Sequence, residues 1–96
     1  MSIMSKDYKD IFKYFRNTYK TVSILSEKIN FKSFLKIEIE DEIHITISEE
    51  NGYYLANILF MSKPNDILIF SFYTSNEFIT KFKLHLEWEF FADEYY

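Results

Sequence analysis

Two histidines, His44 and His85, each stand two residues from a glutamate, Glu42 and Glu87. Imidazole plus carboxylate is a zinc ligand set, and three such ligands with one open position would make a hydrolytic centre. The two pairs would have to meet, yet in a simple meander the strands that carry them are not neighbours. No metal site is therefore expected, and two surface histidines beside carboxylates is the plainer reading. Serine and aspartate occur, but no serine sits in the glycine-framed elbow that nucleophilic hydrolases use. Gly52 is the one glycine of the chain, which also removes loops that cradle phosphate. Cysteine is absent, which excludes thiolate chemistry, thiolate metal sites and a disulfide scaffold. Carboxylate pairs abound (Glu38 with Glu40, Glu87 with Glu89), but acid–base work needs a pocket that drives two pKa values apart. These pairs fall on what reads as open surface. No catalytic residue and no cofactor is assigned, and enzyme activity is not expected.

What remains is recognition chemistry, and the charge is unevenly divided. Residues 1–36 hold eight basic and three acidic side chains, residues 37–96 three basic and twelve acidic, for a formal net charge of -4. Such asymmetry bears on partners rather than on fold. Lys6, Lys9, Lys13, Arg16 and Lys20 recur at helical spacing and fall within roughly 80° of arc. Such a stripe, with Tyr14 beside it, could follow a phosphate backbone. Simple solvation of a helix face is the plainer role, and the overall acidity argues against nucleic acid.

The acids cluster elsewhere. Glu38, Glu40, Asp41 and Glu42 surround one turn and Glu49 and Glu50 the next, while Glu87, Glu89, Asp93 and Glu94 lie near the last residue. Regularly spaced carboxylates on a rigid sheet imitate nucleic-acid phosphates and suit a groove lined by lysine and arginine. The competing role is protection of sheet edges against aggregation. Trp88 and Tyr95, interleaved with the last acids, are side chains favoured as interface anchors; a frayed terminus resting on the domain is the alternative.

These residues need a scaffold. Ninety-six residues, 48% hydrophobic, make one domain over 1–96. Residues 6 to about 28 predict an amphipathic helix capped by Ser5, with Tyr8, Ile11, Phe12, Phe15, Tyr19 and Val22 on its apolar stripe. Thr21-Val-Ser-Ile-Leu-Ser26 is poor helix material, so an end near Lys20 followed by a loop or short strand is the variant reading. Leu35, Ile37 and Ile39 then alternate with polar residues, as do Ile43, Ile45 and Ile47, giving two strands with a tight turn at Asp41. Asn51-Gly52 predicts a type I′ hairpin turn into a third strand over 53–61. Lys63-Pro-Asn-Asp66 turns the chain into a fourth strand over 67–74. Even positions from Phe78 to Phe90 are apolar apart from Thr80, which favours a fifth strand. Its rival is a helix opened by the capping box Thr74-Ser-Asn-Glu77, which would strand Leu84, Trp88 and Phe91. The expected fold is α+β: an N-terminal amphipathic helix packed on a five-stranded antiparallel meander. Its third and fourth strands are apolar on both faces, and one helix covers only one, so a homodimer or a tight hetero-complex is expected.

No apolar run of the signal-peptide kind opens the chain. Its longest mostly apolar stretch, 53–61, is far short of the about 20 residues of a membrane span. A cytoplasmic protein without membrane contact is expected. Abundant Ile, Lys, Asn, Phe and Tyr suit A/T-rich coding DNA, as in low-GC bacteria and their phages. The function these features suit first is that of a non-catalytic inhibitor from a phage or mobile element. Its acidic, aromatic-rimmed sheet would block a basic nucleic-acid-binding groove of a host defence protein, in the manner of anti-CRISPR or anti-restriction proteins. Glu38, Glu40, Asp41, Glu42, Glu87, Trp88, Glu89, Asp93, Glu94 and Tyr95 would make the contact. An immunity protein that neutralises a toxin, and a nucleic-acid binder using Lys6 to Lys20, rank behind it.

Overall fold

Ser5, itself extended, caps α1 (Lys6–Thr18): its Oγ accepts the Tyr8 N–H at 3.2 Å, and Asp7 stands in the first turn, where the helix dipole favours an anion. A computed structural model describes residues 5–63, 65 and 67–95, with side chains as far as Leu86. The helix stops at Tyr19, whose backbone is extended and whose N–H still donates to the Phe15 carbonyl. Next come β1 (Val22–Ile29), β2 (Lys32–Ile39), β3 (Ile43–Glu49), β4 (Tyr54–Phe60), β5 (Ile67–Phe72) and α2 (Ser75–Tyr95). The sheet order is β1-β2-β3-β4-β5 with every neighbour antiparallel. This is the α+β meander expected, with an additional helix.

Two of its elements differ from the expectation. The first helix ends at Thr18 rather than near residue 28, and the β-branched and serine-rich stretch behind it becomes β1. The segment 78–90, favoured as a strand, lies within α2. Its start is held reciprocally: Thr74 Oγ1 accepts the Glu77 N–H at 3.2 Å, and Glu77 Oε1 accepts the Tyr73 N–H at 2.6 Å. That is the capping-box chemistry, shifted by one residue on the return bond. Phe78 and Phe82 are fully buried while Ile79 and Leu86 pack against the core, a helical spacing. Leu84 is left 54% exposed, and the side chains of Trp88 and Phe91 lie outside the described residues. At the other turns, Asn51 does not take a positive φ and only Gly52 does, at 91°, so the predicted type I′ turn is not formed there. Pro64 and Asp66, in the turn expected between β4 and β5, lie outside the described residues.

The register sorts the side chains into two faces. Ile24, Ile37, Ile45, Ile58 and Leu68 run across one face of the sheet in consecutive cross-strand pairs. Both helices lie on this face. Phe15 of α1 meets Phe82 of α2 edge-on at 5.2 Å and Phe78 at 6.2 Å, and Phe78 in turn contacts Phe72 of β5 at 5.0 Å. Asp7 fastens the same corner: Oδ1 accepts the Ser75 N–H at 3.1 Å and Oδ2 the Tyr54 hydroxyl at 3.2 Å, while Ser75 Oγ is 3.2 Å from Asp10 Oδ2. The opposite face, called outer below, receives no helix. Leu25, Ile67 and Ile69 on it are each more than half exposed. Among the described residues, no helix is long and apolar enough to cross a membrane.

Tyr8 ties α1 to the middle of the sheet. Its ring is buried and its one hydroxyl proton lies between the carbonyls of Ser33 at 3.1 Å and Ile47 at 3.3 Å. Burial pushes the phenol well above its ordinary value, against the opposing effect of the Ser33 hydrogen bond. A phenol whose pKa is raised by folding supports the fold fully below its unfolded value of about 10 and loses that support as pH rises past it. Burial also raises Tyr14, Tyr19 and Tyr54. Tyr8→Phe is expected to cost about 1 kcal/mol at pH 7 and to make the alkaline loss of stability shallower. Urea melts at pH 7, 9.5 and 11 check both; an unchanged alkaline slope would contradict the buried phenol.

Candidate interaction surface

The β2–β3 turn is built from acids in an uncomfortable backbone. Glu40 and Asp41 both take positive φ, 49° and 57°, and the Glu42 N–H donates to the Ile39 carbonyl at 2.9 Å. Two central residues of positive φ are the mark of a type I′ turn, where Asn and Gly sit without strain. Asp tolerates this region in part and Glu poorly. The turn is stitched to its surroundings: the Glu40 N–H reaches the Thr21 carbonyl at 3.2 Å, and the Glu42 carbonyl accepts the Met61 N–H at 2.8 Å. Glu38, Glu40, Asp41 and Glu42 are all exposed. Glu38 lies on the outer face, cross-strand from Ser23 and His44. The structure thus brings these four predicted residues together at one end of the sheet, on a connection with little freedom.

The remaining acids are placed differently. Glu49 and Glu50 lie at the β3–β4 connection, the opposite end of the strands. Glu50 accepts from Lys32 Nζ at 2.8 Å and from Ser48 Oγ at 3.0 Å, and these bonds, that from Lys32 foremost, hold its carboxyl below the usual range. Glu27 pairs with Lys36 at 2.6 Å, off the line a hydrogen bond would take. Two of the outer face's carboxylates are therefore neutralised within the chain. Asp7, Glu49, Glu50, Tyr53, Tyr54 and Tyr73 line a cleft of about 250 Å³; Asp7 and Glu50 are already committed to bonds that hold the fold.

Glu87 and Glu89 do not share a strand face, because the segment is α2. Two residues apart on a helix they are separated by about 200° around its axis. Trp88, Asp93, Glu94 and Tyr95 lie on the same helix, and their side chains are outside the described residues. His44 belongs to the outer face, whereas His85 stacks on Phe70 at 5.9 Å on the helix-covered side. The sheet therefore separates the two histidines.

The cationic stripe is intact. Lys6, Lys9, Lys13 and Arg16 are exposed along α1, and Lys20 is exposed just past its end. Arg16 lies over the Phe12 ring at 5.2 Å, and Lys83 of α2 adds a cation over the Tyr14 ring at 5.5 Å. The α1 carboxylates Asp7 and Asp10 are engaged with Ser75 and Tyr54 instead. Among the described residues, none of the five stripe cations is ion-paired. Lys83 escapes sequence reading because a strand over 78–90 would place it far from α1. Phe31 escapes as well, since a helix to residue 28 hides the hairpin whose tip it occupies.

Comparison with protein-family models, with curated proteins and with solved structures found no match.

The strained turn separates charge from stability. Glu40→Asn with Asp41→Gly removes two carboxylates and relaxes two left-handed positions. The double variant is expected to gain about 1 kcal/mol, or roughly 5 °C in Tm, with thermal melting as the check. A Tm at or below that of the parent would show that the turn holds no such strain.

Proposed function

We propose that this chain is a non-catalytic protein-binding inhibitor that sets the acids of its β2–β3 turn, with Glu38 beside them, against a basic nucleic-acid-binding groove of a host defence protein. The observation that carries this reading is the retention of Glu40 and Asp41 at left-handed positions. A turn of that shape is more stable with Asn and Gly, and strain of this kind concentrates where a surface has work to do. Three exposed carboxylates on a stitched turn, with Glu38 on the adjoining end of β2, form an anionic tip, the complement of a lysine- and arginine-lined groove. The compositional bias supports a phage or mobile element as its origin, and host cytoplasm as its place of action. CRISPR effectors and restriction enzymes are the defence proteins that carry such grooves.

The same reading includes a homodimer formed through the outer face. Leu25, Phe34, Leu55, Leu59, Ile67 and Ile69 lie there, and Lys36 and Lys32 are already neutralised by Glu27 and Glu50, so charge repulsion between two copies is confined to Glu38, which stands one residue from the end of β2 and stays at the rim. Five strands about 4.8 Å apart and some 22 Å long give a footprint of about 500 Å². Interlocking side chains bury more than the flat footprint, approaching the roughly 800 Å² per partner of a standard interface. Stacked faces leave the β2–β3 turn free at the end of the sheet. One observation favours a second reading: the unpaired stripe of Lys6, Lys9, Lys13 and Arg16, extended by Lys83, would suit direct contact with nucleic acid.

Inhibition is tested by adding the protein to a panel of CRISPR effectors and restriction enzymes bound to fluorescent DNA. At least one enzyme is expected to release its DNA, and the Glu40→Asn, Asp41→Gly variant to need more than about tenfold higher concentration. Indifference of the whole panel, or equal potency of the variant, counts against the reading. A gel shift of the DNA by this protein alone at low salt would favour the second reading. For the dimer, sedimentation is expected to give twice the chain mass for the parent and a monomer for Ile69→Lys, a residue already exposed; a monomeric parent at 100-fold dilution and at stock concentration alike would rule it out.

A further inference from the structure

At the end of the strands opposite the acidic turn, the cleft of about 250 Å³ opens between the β3–β4 connection and the starts of the two helices. Tyr53, Tyr54 and Tyr73 line it together with Asp7, Glu49 and Glu50, and among the described residues no basic side chain does. Tyr54 is fixed, its ring stacked on Phe72 at 5.1 Å and its hydroxyl on Asp7. Tyr53 and Tyr73 stand just past the last pair of the β4–β5 ladder, Tyr54 with Phe72. They are 40% and 69% exposed, and among the described residues neither ring packs on another. Of the carboxylates, Glu50 is answered by Lys32. Asp7 is bonded only to neutral donors, the Ser75 N–H and the Tyr54 hydroxyl, which leave its charge in place. Glu49 is exposed and bonded to no cation among the described residues. Burial raises the Tyr54 phenol, against a hydrogen bond with Ser5, and the Asp7 and Glu49 carboxylates raise it further. Two uncompensated negative charges therefore stand beside two unpacked aromatic rings.

That combination selects among cations. Among the described residues, no three acidic or histidine side chains lie close enough together to hold a metal ion. A small hard cation also keeps its water in preference to a ring face. A guanidinium gains from both kinds of wall, because its plane stacks on an aromatic face while its N–H fork meets a carboxylate. The cleft is smaller than the roughly 300 Å³ at which pockets for whole small molecules begin, so it suits one such group and not an entire cofactor. We infer that this cleft binds a guanidinium group on an aliphatic stem, stacked against Tyr53 and Tyr73 and hydrogen-bonded to Glu49, with Asp7 as the second charge behind it. An arginine side chain of a polypeptide and a free guanidino amine both carry that chemistry. The site uses no residue of the acidic turn or of the apolar outer face, and it stands whether or not the proposed function does.

The test follows the ring signals of Tyr53 and Tyr73 by NMR at physiological salt. The chain is titrated with N-acetyl-argininamide, its lysine and citrulline counterparts, agmatine and calcium chloride. Saturable shifts of both rings are expected with N-acetyl-argininamide at a Kd of about 1 mM, and none with the uncharged citrulline compound. Glu49→Gln is expected to weaken binding roughly tenfold and Tyr73→Ala roughly threefold, while Tyr73→Phe, which keeps the ring face, binds as the parent does. Both residues are exposed, so an unchanged Tm verifies that each variant keeps the fold. Tighter binding of agmatine supports the site and points to a free guanidino amine; tighter binding of N-acetyl-argininamide supports it and points to an arginine of a polypeptide. An equal response to the citrulline or lysine compound, displacement by calcium, no saturation with either guanidinium probe, or unchanged affinity in Glu49→Gln and Tyr73→Ala alike overturns the site. None of these results bears on the acidic turn, which release of DNA from the enzyme panel tests separately.

Discussion

The seam between the two helices is built on Phe15. It is fully buried and touches Phe78 and Phe82 of α2 and Tyr19, and Phe78 carries the contact on to Phe70 and Phe72 of β5. Burying aromatic side chains of this size is the largest favourable contribution a small core has. It also sets the placement of the second helix. Because Phe78 must reach Phe70 and Phe72 as well as Phe15, α2 lies beside α1 and not on the far side of the sheet. A five-stranded sheet with two helices on one face has a bare face by construction. The outer face, the β2–β3 turn and the cationic stripe are what this packing leaves outside.

The same corner distributes the charge. Asp7 and Asp10 carry half of a hypothetical ion-pair network for α1, yet both carboxylates are drawn to Ser75 at the α2 N-terminus, where exposed N–H groups and the helix dipole favour an anion. Their departure leaves Lys6, Lys9, Lys13 and Arg16 without counter-charges on their own helix. On the sheet the opposite happens: Lys32 and Lys36 are held by Glu50 and Glu27, which neutralises four charges of the outer face and leaves Glu38 there with His44, Thr46, Ser48 and Asn57 among its apolar residues. Among the described residues, the acids that stay without a cation include Glu38, Glu40, Asp41 and Glu42 around the β2–β3 turn and Glu49 at the other end of the sheet. The stripe cations of α1 and the acids of the β2–β3 turn are thus divided between one helix and one end of the sheet, rather than between the two faces of the sheet.

How much of this can be read from residues alone follows from which periods overlap. Alternation of Ile with polar residues over 35–47 admits one interpretation, and β2 and β3 lie there. The stripe of Tyr8, Ile11 and Phe15 is equally unambiguous for α1. Over 78–90 the two periods coincide at 78, 82, 86 and 90, since every fourth residue satisfies both a strand and a helix. Leu84 and Trp88 then tip the pattern toward a strand. The cap at Thr74 and Glu77 points the other way and prevails, because a capped helix also places Phe78 and Phe82 on the aromatic seam. β1 is hidden for a related reason: Val22 prolongs the spacing of the α1 stripe until backbone propensity, weak for helix over 21–26, ends it. Glu38, Glu40, Asp41 and Glu42 were legible as a cluster because a turn keeps its residues together whatever surrounds it. The pairing of Glu87 with Glu89 was not, since it depended entirely on the period.

The left-handed positions carry the last step. The chain spends its one glycine at Gly52, where an added Cβ would meet nothing within 4 Å and the demand is conformational, φ being 91°. At Glu40, Asp41 and Phe31 the backbone makes a similar demand, and side chains are kept that satisfy it badly. Stability alone would favour Asn-Gly at both tips, and Phe31, 96% exposed, has no packing to reverse that preference. The two strained tips stand at opposite ends of one strand, one anionic and one aromatic. On the proposed function, contact with a partner is what would offset the small gain in folding that relaxed turns would bring.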